Sequence, residues 1–134
     1  IYLRYLASAD AVEDVHAVRW CLEHDLDELW TGDLPFPVKR LYPQLVEALN
    51  GPEVDGRSAL GIVQPALMRT TVRRIKICDL LQMHLFGKHE VAMGNKFAMP
   101  IAEDTLTKAV ELAATSGDSV EIKAIERFKE ENRG

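Results

Sequence analysis

The final third of the chain, Pro100 to Arg133, admits little except two amphipathic helices folded back on one another. Pro100 suits a first helical position, and Glu103 and Asp104 sit where the helix dipole favours anions. Leu106, Ala109, Val110 and Ala113 recur at helical spacing on one face. Ser116-Gly117 supplies the stop, because glycine takes the left-handed conformation that ends a helix. Asp118 with Glu121 has the spacing of a reciprocal cap, after which Ala124, Ile125 and Phe128 point inward. The expectation is a C-terminal helical hairpin over 100–133, which is architecture and not chemistry.

Upstream, Ile1 to Leu6 is apolar but too short for periodicity to separate strand from helix. Asp10 and Glu13 form a second capping-box spacing. Val15, Val18, Leu22, Leu26 and Leu29 then trace a helical face as far as Trp30, with Gly32 as the stop. Leu34-Pro35-Phe36-Pro37 predicts a turn or extended corner, since proline lacks the amide donor and pushes its predecessor out of the helical region. Val38, Leu41, Leu45, Ala48 and Leu49 give a short helix that Asn50-Gly51-Pro52 should end, and Glu53 to Arg57 reads as a surface loop.

A longer helix is expected from Pro65 to Gly87, and its second half is apolar nearly all round, as a helix surrounded by others must be. Glu90–Met93 and Lys96–Met99 flank Gly94-Asn95, the spacing of a small β-hairpin near 90–99, with an irregular loop as the alternative. No internal repeat is present: one helical hairpin resembles one unit of an ankyrin or tetratricopeptide array, but such arrays need several. The fold expected is all-α, a compact bundle of about five helices around a central helix near 65–86, in a single domain over 1–134.

The chain has 134 residues, 47% of them apolar, and a formal net charge of −5, which fits one helical domain and argues against generalised phosphate binding. Cys21 and Cys78 lie far apart within helical patterns and read as buried free thiols. No apolar run approaches the length of a membrane span and no leader with a cleavage site is visible, so no membrane partner and a cytoplasmic location are expected. Ile1 is not methionine, so native residues can precede it.

Four groups of residues have spacings that chemistry could use. Glu13 and His16 stand three apart on one helix, the carboxylate–histidine spacing of di-iron bundles, yet neither His84 nor His89 has a glutamate three residues before it to complete such a site. Arg19 and His24, in Arg19-Trp20-Cys21-Leu22-Glu23-His24, resemble the Arg-then-His spacing of HEPN ribonucleases. That resemblance implies a small helical domain in which the histidine acts at the scissile phosphate and the arginine stabilises its charge, without a metal. The competing reading places both on the solvated surface of a helix. Arg69, Arg73, Arg74 and Lys76 form the densest basic cluster, three of them on one side of the long helix, and offer a phosphate-binding stripe or a solvated face paired with acids. The terminal hairpin also resembles a helix-turn-helix, but Asp118 stands where an apolar residue is usual and Glu121, Glu126, Glu130 and Glu131 crowd the would-be recognition helix.

No catalytic set and no metal set is complete, and no cofactor is expected. Apolar residues exceed a core stripe on several helices, and Trp20, Trp30, Phe36 and Tyr42 cluster early in the chain. The expected function is therefore a non-enzymatic protein–protein interaction or assembly subunit that partners itself or another protein. The alternatives are nucleic-acid binding through Arg69–Lys76 and an HEPN-like ribonuclease using Arg19 and His24.

Overall fold

The computed structural model describes residues 1–32 and 36–134, and among these every regular element is helical. Seven α-helices follow in order: α1 (Ala11–Glu23), α2 (Glu28–Thr31), α3 (Phe36–Leu41), α4 (Pro43–Ala59), α5 (Arg69–Ala92), α6 (Met99–Ser116) and α7 (Ser119–Glu131). A single wide helical turn, Tyr2–Leu6, precedes them, and a 3₁₀ turn, Lys96–Ala98, joins α5 to α6. The fold is all-α, with the C-terminal hairpin where the sequence places it. Contacts group the chain into two units, Ile1–Val18 with Leu67–Gly134, and Arg19–Ala66.

In the first unit α5 lies against α6, and the crossing is close because Gly87 has no side chain. A Cβ built there would stand 2.9 Å from Ala102 Cβ and 3.1 Å from the Ala102 backbone. Gly87 was expected to stop the helix, and it is instead a buried interior residue whose missing methyl lets α5 continue to Ala92. That continuation removes the β-hairpin expected near 90–99: Glu90 to Ala92 are the last turn of α5, and Lys96–Ala98 is the 3₁₀ turn. Only the turn at Gly94 survives, at φ +100°, and it joins helices.

The hairpin α6–α7 is built much as its sequence implies. Pro100 lies in the first turn of α6, and Gly117 closes the helix at φ 68° with its amide donating to the Ala113 and Ala114 carbonyls. Asp118 caps α7 by accepting from the Val120 and Glu121 amides. Ala124, Ile125 and Phe128 are buried as expected, and Ala109 and Ala113 face inward from α6 with Ala102 and Thr105. Leu106 and Val110 are only half-buried. Phe128 meets the Tyr5 ring edge-on, centroids 5.7 Å apart, so the N-terminal turn closes over the last helix.

Two expected capping boxes are half formed. Asp10 accepts from the Val12 and Glu13 amides, but the Glu13 carboxylate does not turn back. It reaches the start of α5, accepting from the Met68 amide at 2.9 Å and the Thr71 hydroxyl at 2.6 Å. Glu13 thus ties α1 to the start of α5, whose first helical residue is Arg69 and not Pro65. Next to it, Asp14 accepts from the Ser8 amide and hydroxyl and from Tyr2 OH. Donation from Ser8 holds the Asp14 carboxyl below its ordinary value, while burial and the same aspartate push the Tyr2 phenol up.

The second unit departs further from expectation. The first long helix was expected to reach Trp30, but α1 ends at Glu23 and a short α2 follows before Gly32, whose amide donates to the Glu28 carbonyl at 2.7 Å. The predicted apolar face of α1 is not its buried face: Val15 and Leu22 are exposed and Ala17 is buried, since a small residue allows the closest approach. Of the expected extended corner, Leu34 and Pro35 lie outside the described residues, and a helix has already begun at Phe36. The predicted stop at Asn50-Gly51-Pro52 does not end α4, which carries Pro52 in its interior and absorbs the expected Glu53–Arg57 loop. Proline removes the bond to the Ala48 carbonyl; Ala48 is exposed, so water can take that place. Asp27 is buried and paired with Arg57, which ties α4 to the turn before α2.

Candidate interaction surface

The structure gives most of the nominated residues internal work. Arg19 donates from Nε to both carboxylate oxygens of Glu23 at 3.1 Å, one helical turn on. His24 lies just past the end of α1, where its Nδ1 faces the Trp20 carbonyl at 2.9 Å and the Cys21 carbonyl at 3.2 Å. An imidazole N–H there adds to the last-turn bonding, since the Trp20 carbonyl already accepts from the His24 amide at 2.9 Å. Its Nε2 is 3.3 Å from Asp25. Arg19 and His24 thus each serve the end of one helix, and they do not converge on a shared partner. Glu13 is occupied by Met68 and Thr71, and among the described residues no group of three or more His, Cys, Asp or Glu side chains is placed to hold a metal.

The basic cluster divides in two. Arg69 and Lys76 are exposed on α5. Arg73 and Arg74 turn inward to the start of α7. Arg73 makes a forked contact with Glu121, Nε to Oε1 at 2.8 Å and a terminal nitrogen to Oε2 at 3.0 Å, and Glu121 is fully buried. Ser116 also donates to that carboxylate at 2.9 Å, so the ion is well satisfied despite burial. Arg74 donates to Asp118 and to the Leu6 carbonyl, both at 3.1 Å, and so joins the N-terminal turn, α5 and the hairpin turn. Burial opposes ionisation of Asp118, but Arg74 and two backbone amides outweigh it and hold the carboxyl below its ordinary value. Glu121, expected to complete the cap of α7, spends its carboxylate on Arg73, a non-local partner that a local spacing rule does not consider.

Two surface features of the first unit have no internal explanation. The link between α5 and α6 holds Met93, Phe97 and Met99 in solvent, with Phe97 92% and Met93 74% exposed. Phe86, two turns back from Met93 on the same side of α5, is 56% exposed. The sequence reads Met93, Phe97 and Met99 as parts of a hairpin near 90–99, and Phe86 as part of the apolar central helix. The second feature was not legible at all. A groove of about 490 Å³ opens along α5, α6 and the end of α7, with Val91, Met99, Ala102 and Leu106 among its walls and Lys88, Glu103, Lys129 and Arg133 facing it. His84 closes one side, its Nδ1 held by the Ala102 carbonyl at 2.7 Å. These residues are scattered over three helices, so no spacing signal could gather them.

No helix among the described residues is long and apolar enough to cross a membrane. Comparison of the chain with protein-family models, with curated proteins and with solved structures finds no match.

Proposed function

We propose that the protein is a non-enzymatic assembly subunit that self-associates through the α5–α6 link. The supporting observation is the exposure of Phe97 beside Met93. Scattered exposed leucines are ordinary on a soluble protein, but a nearly naked aromatic flanked by two exposed methionines keeps a large apolar surface in water that a partner would cover. A second copy suits it on two grounds. Residues 93–99 carry one cation, Lys96, and no acid, so the link holds none of the negative charge that gives each chain its net −5. An apolar patch is also self-complementary under two-fold symmetry, as a charged one is not.

The nucleic-acid alternative loses half of its stripe to Glu121 and Asp118, because an arginine fixed in an internal ion pair releases no counterion from a phosphate backbone. Light scattering on chromatographed wild type, over a range of concentrations, tests the proposal. The expected result is a species heavier than the monomer that the double substitution Phe97→Ser, Met93→Ser dissociates with its helical circular dichroism unchanged. A monomer at every concentration overturns it. Salt-sensitive comigration with duplex DNA or RNA would move the function to nucleic-acid handling.

A further inference from the structure

The groove beside the link has a different character from the link itself, and it supports an inference that stands on the groove alone. Its volume of about 490 Å³ falls within the usual range for small-molecule sites. Its chemistry is divided by element. From α6 come Met99, Ala102 and Leu106, a wall of carbon. From α5 and the end of α7 come Lys88, Lys129 and Arg133, three cationic side chains against one acidic side chain, Glu103.

The cations are differently held. Lys88 donates from its ammonium to the Asn132 carbonyl, which anchors the group and leaves it two further N–H donors. Lys129 and Arg133 are exposed at the end of α7. Nearby, Arg127 and Arg4 both engage Glu131 instead, so that acid is already committed to other cations. His84 is a wall and not an anchor, since its Nδ1 is fixed on the Ala102 carbonyl and its ring packs edge-on to Phe128 at 6.1 Å.

We infer that this groove binds a small amphiphilic monocarboxylate, with the carboxylate among Lys88, Lys129 and Arg133 and the hydrocarbon along Met99 and Leu106. Carboxylates match lysine and arginine donors by charge-assisted hydrogen bonding, and the flexible apolar wall accepts a methylene chain without directional demands. One negative charge suits the site better than two, because Glu103 faces the same space and repels a second.

Titration calorimetry of the full chain with octanoate and decanoate, each below its micelle concentration, and with uncharged decyl maltoside tests the inference. One-to-one binding of decanoate is expected, and its affinity should exceed that of octanoate by roughly threefold or more for each added methylene. Decyl maltoside should bind at least about tenfold more weakly, and the surface variant Lys129→Gln, Arg133→Gln should weaken decanoate by a similar factor with its helical circular dichroism unchanged. Leu106→Gln, which alters the wall and not the charges, should reduce the gain per methylene. Equal binding of the charged and uncharged amphiphiles, indifference to the double variant, or no saturable binding of decanoate would each overturn the assignment.

Discussion

The described residues of the two units bury apolar side chains to different extents. In Ile1–Val18 with Leu67–Gly134, the buried residues Leu6, Ile77, Leu81, Ile125 and Phe128 form a core. In Arg19–Ala66, the only residues described as buried are Asp27 and Gly56, while Leu41, Tyr42, Leu45, Val54 and Val63 are exposed. Both stretches are rich in leucine and valine. What separates them is the residue type between the apolar ones: α5 and α6 meet through Gly87 and Ala102, whereas α4 contains Gly51, Pro52 and Gly56, residues that weaken a helix without bringing a close neighbour to Gly51. Apolar periodicity therefore marks a face that could be buried. In the first unit the close approach of two backbones at Gly87 and Ala102 accompanies that burial.

The largest effect that could break this comparison is at the centre of the first unit. Phe128→Ala should cost about 3–5 kcal/mol by chemical denaturation, since the ring is 1% exposed and packs against Tyr5 and His84. A loss near zero would mean that α7 is dispensable to the core. Glu121→Gln should cost about 2–3 kcal/mol, because the fully buried carboxylate is the forked partner of Arg73, and only the Asp118 carboxylate at 3.6 Å would remain to that guanidinium. The combined variant Arg73→Met, Glu121→Met should recover part of that loss, and a failure to do so would show that the pair is stabilising in its own right. Gly87→Ala should cost roughly 1–3 kcal/mol through overpacking against Ala102, a sign opposite to the gain that alanine brings to an unconstrained helix. At the small end, Leu45→Ala in α4 should move stability by less than about 1 kcal/mol, as its side chain is already 42% exposed. A Leu45 effect as large as that of Phe128 would erase the distinction between the units.

Legibility followed the range of the interaction. The stop at Gly117, the cap at Asp118 and the inward set Ala124, Ile125 and Phe128 are local, and each was readable from spacing. Glu13 and Glu121 have the same local signature as capping residues, yet their carboxylates go to Thr71 and Arg73, far along the chain. Glycine was ambiguous for a related reason. A glycine after a helical run signals an end at Gly117 and a packing contact at Gly87, and only the position of α6 tells them apart. Asn50-Gly51-Pro52 misled because water can donate to the carbonyl that proline orphans. The apolar content of the link was visible in the sequence but not its exposure, and the groove depends on residues from three helices meeting, which no single window contains.

The crossing of α5 and α6 also has a consequence for descent. With the Cβ of Ala102 within 2.9 Å and its backbone within 3.1 Å of where a Cβ on Gly87 would lie, position 87 has no room for a methyl group at this spacing of the helices. Exchange of Ala102 for glycine would not open the site, because the backbone of residue 102 stays where it is. A divergent cousin that keeps this crossing is therefore expected to carry glycine at position 87. Such a residue can persist after the surrounding sequence has changed beyond recognition, and it offers a way to find kin where overall resemblance has faded.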